Sequence, residues 1–70
     1  MKFTKKQKEK LINKGWMILD DNSARKSVAG NAFYDLEKMG QHKFQYGLID
    51  ESGSFNPKNT SKLSEALKNT

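Results

Sequence analysis

The side chains able to do covalent or acid–base chemistry are few. His42 is the only histidine and there is no cysteine, so no histidine pair, thiolate nucleophile or Cys/His metal set can be assembled. His42 follows Gly40-Gln41 in a connecting segment, where a solvated imidazole is expected. Two carboxylate pairs, Asp20-Asp21 and Asp50-Glu51, each follow a segment that reads as a strand. If those strands are neighbours, antiparallel pairing places the pairs at opposite ends of a sheet, which argues against a shared metal or an acid/base dyad. Asp20-Asp21-Asn22-Ser23 lacks the glycine and distal glutamate of a calcium loop. There is no G-x-S-x-G and no Walker-type loop. The expectation is a non-enzymatic protein with no catalytic residue, no metal site and no cofactor.

Charge offers more. The 70 residues carry 13 basic and eight acidic side chains, a net of +5. Lys2, Lys5, Lys6, Lys8, Lys10 and Lys14 stand against Glu9 alone in the first fourteen positions, so the whole excess sits there and the remainder is neutral. Thr4 with Gln7 fits a capping box and Gly15 a C′ position, so this segment reads as a helix. Leu11, Ile12 and Gly15 share one arc of its surface, with Lys8 at the edge. Lys5, Lys6, Lys10 and Lys14 span the opposite side as a solvent-facing stripe.

The elements that must position this stripe follow from periodicity. Trp16 to Leu19 reads as a short buried strand closed by a polar turn, with continuation of the first helix to Leu19 as the alternative. From about Ala24 to Met39, the residues Val28, Ala29, Ala32, Phe33, Leu36 and Met39 occupy one helical arc ended by Gly40, which predicts a second helix. On that helix Tyr34 points outward beside Lys38, and Arg25 with Lys26 extends the basic surface. Phe44, Tyr46 and Leu48 alternate as a strand, Asp50 to Ser54 turns the chain, and Phe55 returns as a short third strand ended by Asn56-Pro57. Thr60 or Ser61 then caps a last helix with Leu63, Ala66 and Leu67 on its apolar stripe. The expected fold is α+β over residues 1–70, in the order helix, strand, helix, strand, short strand, helix, with a two- or three-stranded antiparallel sheet.

This order resembles that of winged-helix domains, with Asp50 to Ser54 as the wing tip, provided that residues 22–39 break at Gly30-Asn31 into two helices. The wing tip would then be acidic where a phosphate backbone should lie.

Seventy residues leave little room for an interior pocket, so the working part is expected to be a surface. The longest apolar run is Trp16 to Leu19 and no apolar leader is present, which predicts a soluble cytoplasmic protein without a membrane partner. The candidate partner-binding residues are Lys5, Lys6, Lys10, Lys14, Arg25, Lys26, Tyr34 and Lys38. Two partner classes fit them. One is a nucleic-acid backbone, held without strong sequence choice because all but Arg25 of the basic residues are lysine, with Tyr34 or Tyr46 stacking on a base. The other is an acidic protein surface, bound by an adaptor or inhibitor of the kind carried by phages and mobile elements, with Tyr34, Tyr46, Phe55 and Trp16 as anchors. A homodimer would relieve the small core.

Overall fold

A computed structural model describes residues 1–70. Helix α1 spans Lys5–Asn13. Thr4 caps it: the Gln7 N–H donates to Thr4 Oγ1 at 3.1 Å, and the Thr4 N–H donates to Gln7 Oε1 at 2.9 Å. Gly15 at φ +88° turns the chain back, a conformation that favours glycine. Five strands then follow in sequence: β1 Met17–Asp20, β2 Ser23–Ser27, β3 Phe33–Gly40, β4 Lys43–Ile49 and β5 Lys58–Thr60. Helix α2, Leu63–Lys68, closes the order.

The strands form one antiparallel sheet in the order β1-β2-β3-β4-β5, each paired with its chain neighbour. The α+β class is as the sequence indicates, but the sheet has five strands rather than two or three. The difference lies in residues 24–39, which form no helix, and the winged-helix order falls with it. They are β2, a loop turning at Gly30 with φ +70°, and β3. The apolar residues of this stretch fit a helical arc only because the sheet's own alternation is disguised. The buried side of these strands carries Lys26 and Lys38 among Ala24, Tyr34 and Leu36, while Phe33 and Met39 lie on the other side.

Both helices cover the same face of the sheet. Phe3, Leu11, Trp16, Ala24, Leu36, Phe44, Tyr46, Leu63 and Ala66 make a single core there, with Ile18, Tyr34 and Leu67 packed against it. Trp16, Ile18 and Tyr46 therefore belong to packing, as does Tyr34, whose ring centre lies 6.5 Å from that of Trp16. The Trp16 Nε1–H is buried without an acceptor.

No element covers the second face. Ser27, Phe33, Ile49 and Phe55 follow one another across it, and the neighbouring row runs Met17, Arg25, Asp35, Gly47. Gly47 is required by close approach: a Cβ there would lie 2.9 Å from the Phe55 ring and 3.0 Å from the Asn56 carbonyl oxygen. Phe55 joins the sheet through one bridge to Ile49, and Pro57, which has no N–H to donate, separates that bridge from β5. Strand pairing thus resumes after Pro57 instead of ending there. Helix α2 starts after Lys62, which makes no side-chain cap, and Thr60 Oγ1 instead accepts from the Lys62 N–H at 3.3 Å. Neither helix is long and apolar enough to cross a membrane.

Candidate functional site

Helix α1 rests on the core through Leu11, and its two flanks differ. The flank with Lys8 leans towards the end of β1, where Asp21 receives Lys8 at 3.9 Å and Lys2 at 3.7 Å. These are the only ion pairs in the molecule. Lys5, Lys6, Lys10 and Lys14 pair with no carboxylate and reach into solvent. Lys6, Lys10 and Lys14 follow at intervals of four residues, about 6 Å of helix rise each. That step is close to two base steps of a nucleic-acid strand, at roughly 3.4 Å per phosphate along the axis.

The other flank of α1 faces α2. Between them lies an open groove of about 520 Å³, lined by Lys10, Asn13, Lys14, Ser64, Leu67 and Lys68. Three ammonium groups border it and no carboxylate does, while Leu67 and the lysine stems give it an apolar floor. A second hollow, of about 300 Å³, opens at the far end of the covered face, where Tyr34, Tyr46, Leu48, Asn56, Lys58 and Asn69 meet. There the Asn69 amide donates to the Tyr46 hydroxyl at 3.4 Å.

The eight residues singled out from sequence do not form one surface. Lys5, Lys6, Lys10 and Lys14 come together on α1. Arg25 is exposed on the uncovered sheet face, its guanidinium carbon 3.9 Å from the centre of the Phe33 ring, a cation–π contact away from the lysines. Lys26 lies on the covered face and donates to the Thr70 carbonyl at 3.2 Å, tying β2 to the end of the chain after α2. Tyr34 is half-buried rather than outward-facing. Lys38 is 3% exposed and unavailable to a partner: its Nζ donates to Gln7 Oε1 at 2.9 Å and lies 5.8 Å from the centre of the Phe44 ring. Strand geometry overturns the grouping of these last four, because alternate residues point to opposite faces. Conversely, Lys68 joins the groove although it stands far from the lysine run in sequence. Its signal is its position next to Leu67 on a helix whose apolar stripe fixes which side faces α1.

Three carboxyl groups are shifted. The Asn22 backbone N–H, followed by the Ser23 hydroxyl, holds Asp20 below its ordinary value. The Ser52 hydroxyl, followed by the Ser54 backbone N–H, does the same for Asp50. Each therefore locks a turn. Burial raises Asp35, and the facing Arg25 offsets part of that rise. His42 is exposed in the turn between β3 and β4. No set of three or more histidine or carboxylate side chains is placed to hold a metal ion.

No family model, curated protein or solved structure matches this chain.

Proposed function

We propose that this protein is a non-enzymatic binding module that holds a nucleic-acid backbone along α1 and across the mouth of the α1/α2 groove. One observation carries the reading: Lys6, Lys10 and Lys14 form an unpaired row that Lys68 meets from a second helix, with no carboxylate lining the groove. Lysine ammonium groups bind phosphate as point charges and read no base edges, so the binding is weakly sequence-selective and driven by counterion release. Arg25, Lys26, Tyr34 and Lys38 take no part in it.

The test is a salt titration with duplex DNA, single-stranded DNA and RNA. Binding falls linearly in log K against log salt, and Lys10→Ala and Lys14→Ala each reduce the slope by roughly 0.7–0.9. Lys26→Ala leaves the slope unchanged. Absence of binding to all three probes at low salt overturns the proposal.

Docking on an acidic surface of a larger protein is the second reading, and Leu67 favours it. An apolar floor between lysines offers a seat for an acidic amphipathic segment, which a phosphate backbone does not need.

A further inference from the structure

The two edges of the sheet are finished differently. Strand β5 has three residues, preceded by Pro57 and carrying Lys58, both of which discourage pairing with another chain. Strand β1, four residues long, carries neither proline nor lysine along Met17–Leu19, and its one irregularity is a bulge between Ile18 and Asp20, beyond the regular Met17–Ile18 pairing.

The hydrogen-bond phase of β1 can be worked out across the sheet. The Lys38 N–H donates to the Asn22 carbonyl at 2.8 Å, so Asn22, Ala24 and Lys26 direct their backbone groups towards β3. Ser23 and Arg25 then direct theirs towards β1, and Arg25 exchanges bonds with its partner Met17. Ile18 must therefore present both its N–H and its carbonyl to the outside. No turn or loop bond uses either group, and the Phe3 and Trp16 N–H groups bond elsewhere, to Asp21 and Leu11.

Apolar side chains border this open edge on both sides. Met17, paired with Arg25 on the uncovered sheet face, is 65% exposed, and Leu19, at the bulge, is 45% exposed. Ile12, 59% exposed, lies one turn from Lys8 on the flank of α1 that leans towards Asp21. Three of the seven exposed large apolar residues thus gather along this one short strand. The positive charge here is partly neutralised too, because Asp21 sits with Lys2 and Lys8 while Lys10 and Lys14 line the opposite flank.

We infer that β1 is the pairing edge for a second copy of this chain, joined antiparallel about a two-fold axis at Ile18. Ile18 of each copy exchanges both backbone bonds with its counterpart. In this register Met17 lies opposite the partner copy's Leu19, so apolar meets apolar twice. Same-face pairing allows only registers that match odd with odd positions. Shifting by two residues in either direction keeps one apolar pair instead of two: one register sets Met17 against Asp21 and leaves Leu19 opposite Leu19, the other sets Leu19 against Gly15 and leaves Met17 opposite Met17. The product is one sheet running continuously through both copies, with their lysine grooves facing away from the junction.

The absence of cysteine makes the register directly testable. Opposed Cα atoms in a hydrogen-bonded antiparallel pair lie about 5.5 Å apart, within disulfide range. Under oxidation Ile18→Cys gives a covalent dimer, whereas Phe55→Cys, at an exposed apolar site elsewhere on the molecule, stays monomeric. With the unmodified chain, sedimentation shows mass rising towards twice the monomer between micromolar and millimolar concentration. Exchange of the Ile18 amide hydrogen slows at least about tenfold over that range. Met17→Lys with Leu19→Lys, both exposed positions, abolishes the rise while circular dichroism stays unchanged. A chain that remains monomeric at millimolar concentration overturns the inference. So does an Ile18 amide whose exchange ignores concentration, or equal crosslinking of the Ile18→Cys and Phe55→Cys variants.

Discussion

The covered and uncovered faces of the sheet are written in the same strands but obey different rules. On the covered side β3 places Tyr34, Leu36 and Lys38 under the helices, and Leu36 is fully buried. On the other side the same strand places Phe33, Asp35, Glu37 and Met39 with no helix above them. The covered face partners its charged groups: Lys38 has Gln7 and Lys26 has the Thr70 carbonyl. The uncovered face holds apolar side chains by pairing them across strands, Phe33 beside Ile49 and Ile49 beside Phe55. Side-chain polarity is thus a poor guide to which face is inside, and the surroundings of each residue decide it.

The contrast can be broken most sharply within β3. Leu36→Ala should cost about 2–5 kcal/mol, enough to unfold much of so small a domain, whereas Phe33→Ala should cost about 1 kcal/mol. Urea unfolding monitored by Trp16 fluorescence compares the two, and equal losses would mean that the uncovered face is buried in solution. Lys38 gives the next largest effect. Gln7→Ala leaves the buried ammonium without its acceptor and should cost about 1–3 kcal/mol. Lys38→Met removes the charge and keeps the volume, so stability should stay within about 1 kcal/mol or rise. The smallest effect is at Asp35. Its folded-state pKa is raised from 3.8 by burial, so its share of stability is full below that value and declines as pH rises through the shifted one. Asp35→Asn removes this decline: it is more stable than the parent chain at neutral pH, and the gain vanishes in acid below the ordinary carboxylate value. Asp20 and Asp50 act with opposite sign, losing their stabilisation as pH falls below the ordinary carboxylate range, so parent and variant both weaken in strong acid. Thermal midpoints measured from strong acid to neutrality separate the two trends.

How far the sequence could be read follows from the same contrast. Helix α1 was legible because Thr4, Gln7 and Gly15 act locally, through a cap and a turn that need no partner from elsewhere. Strand β1 was legible in part, because Gly15 breaks the chain before Trp16 to Leu19, but it is a mostly exposed edge strand over Met17–Asp20 and not the buried strand expected. Strand β4 was legible because Phe44, Tyr46 and Leu48 alternate. Strands β2 and β3 were not, because Lys26 and Lys38 interrupt the inward pattern and Phe33 and Met39 fill the outward one. Lys38 becomes an inward residue only when Gln7, brought over by α1, supplies its acceptor. A local signal did exist: turn-forming residues recur at Asp20 to Asn22, Gly30-Asn31, Gly40 to His42 and Asp50 to Gly53, roughly every ten residues, a spacing characteristic of consecutive hairpins. The candidate site was half legible. Lysines on one helix were visible together, and Lys68 was not, because only the folded sheet brings α2 alongside α1.

The consecutive order of the sheet has a consequence for how the molecule comes into being. Every strand finds its partner next door in the chain, so the hairpins need only short loops to close and should form early and fast. The α1/α2 groove is the exception, since it joins the first element to the last and has the longest loop to close. On that ordering the lysine cleft should close last: a chain can hold most of its sheet before α1 and α2 meet.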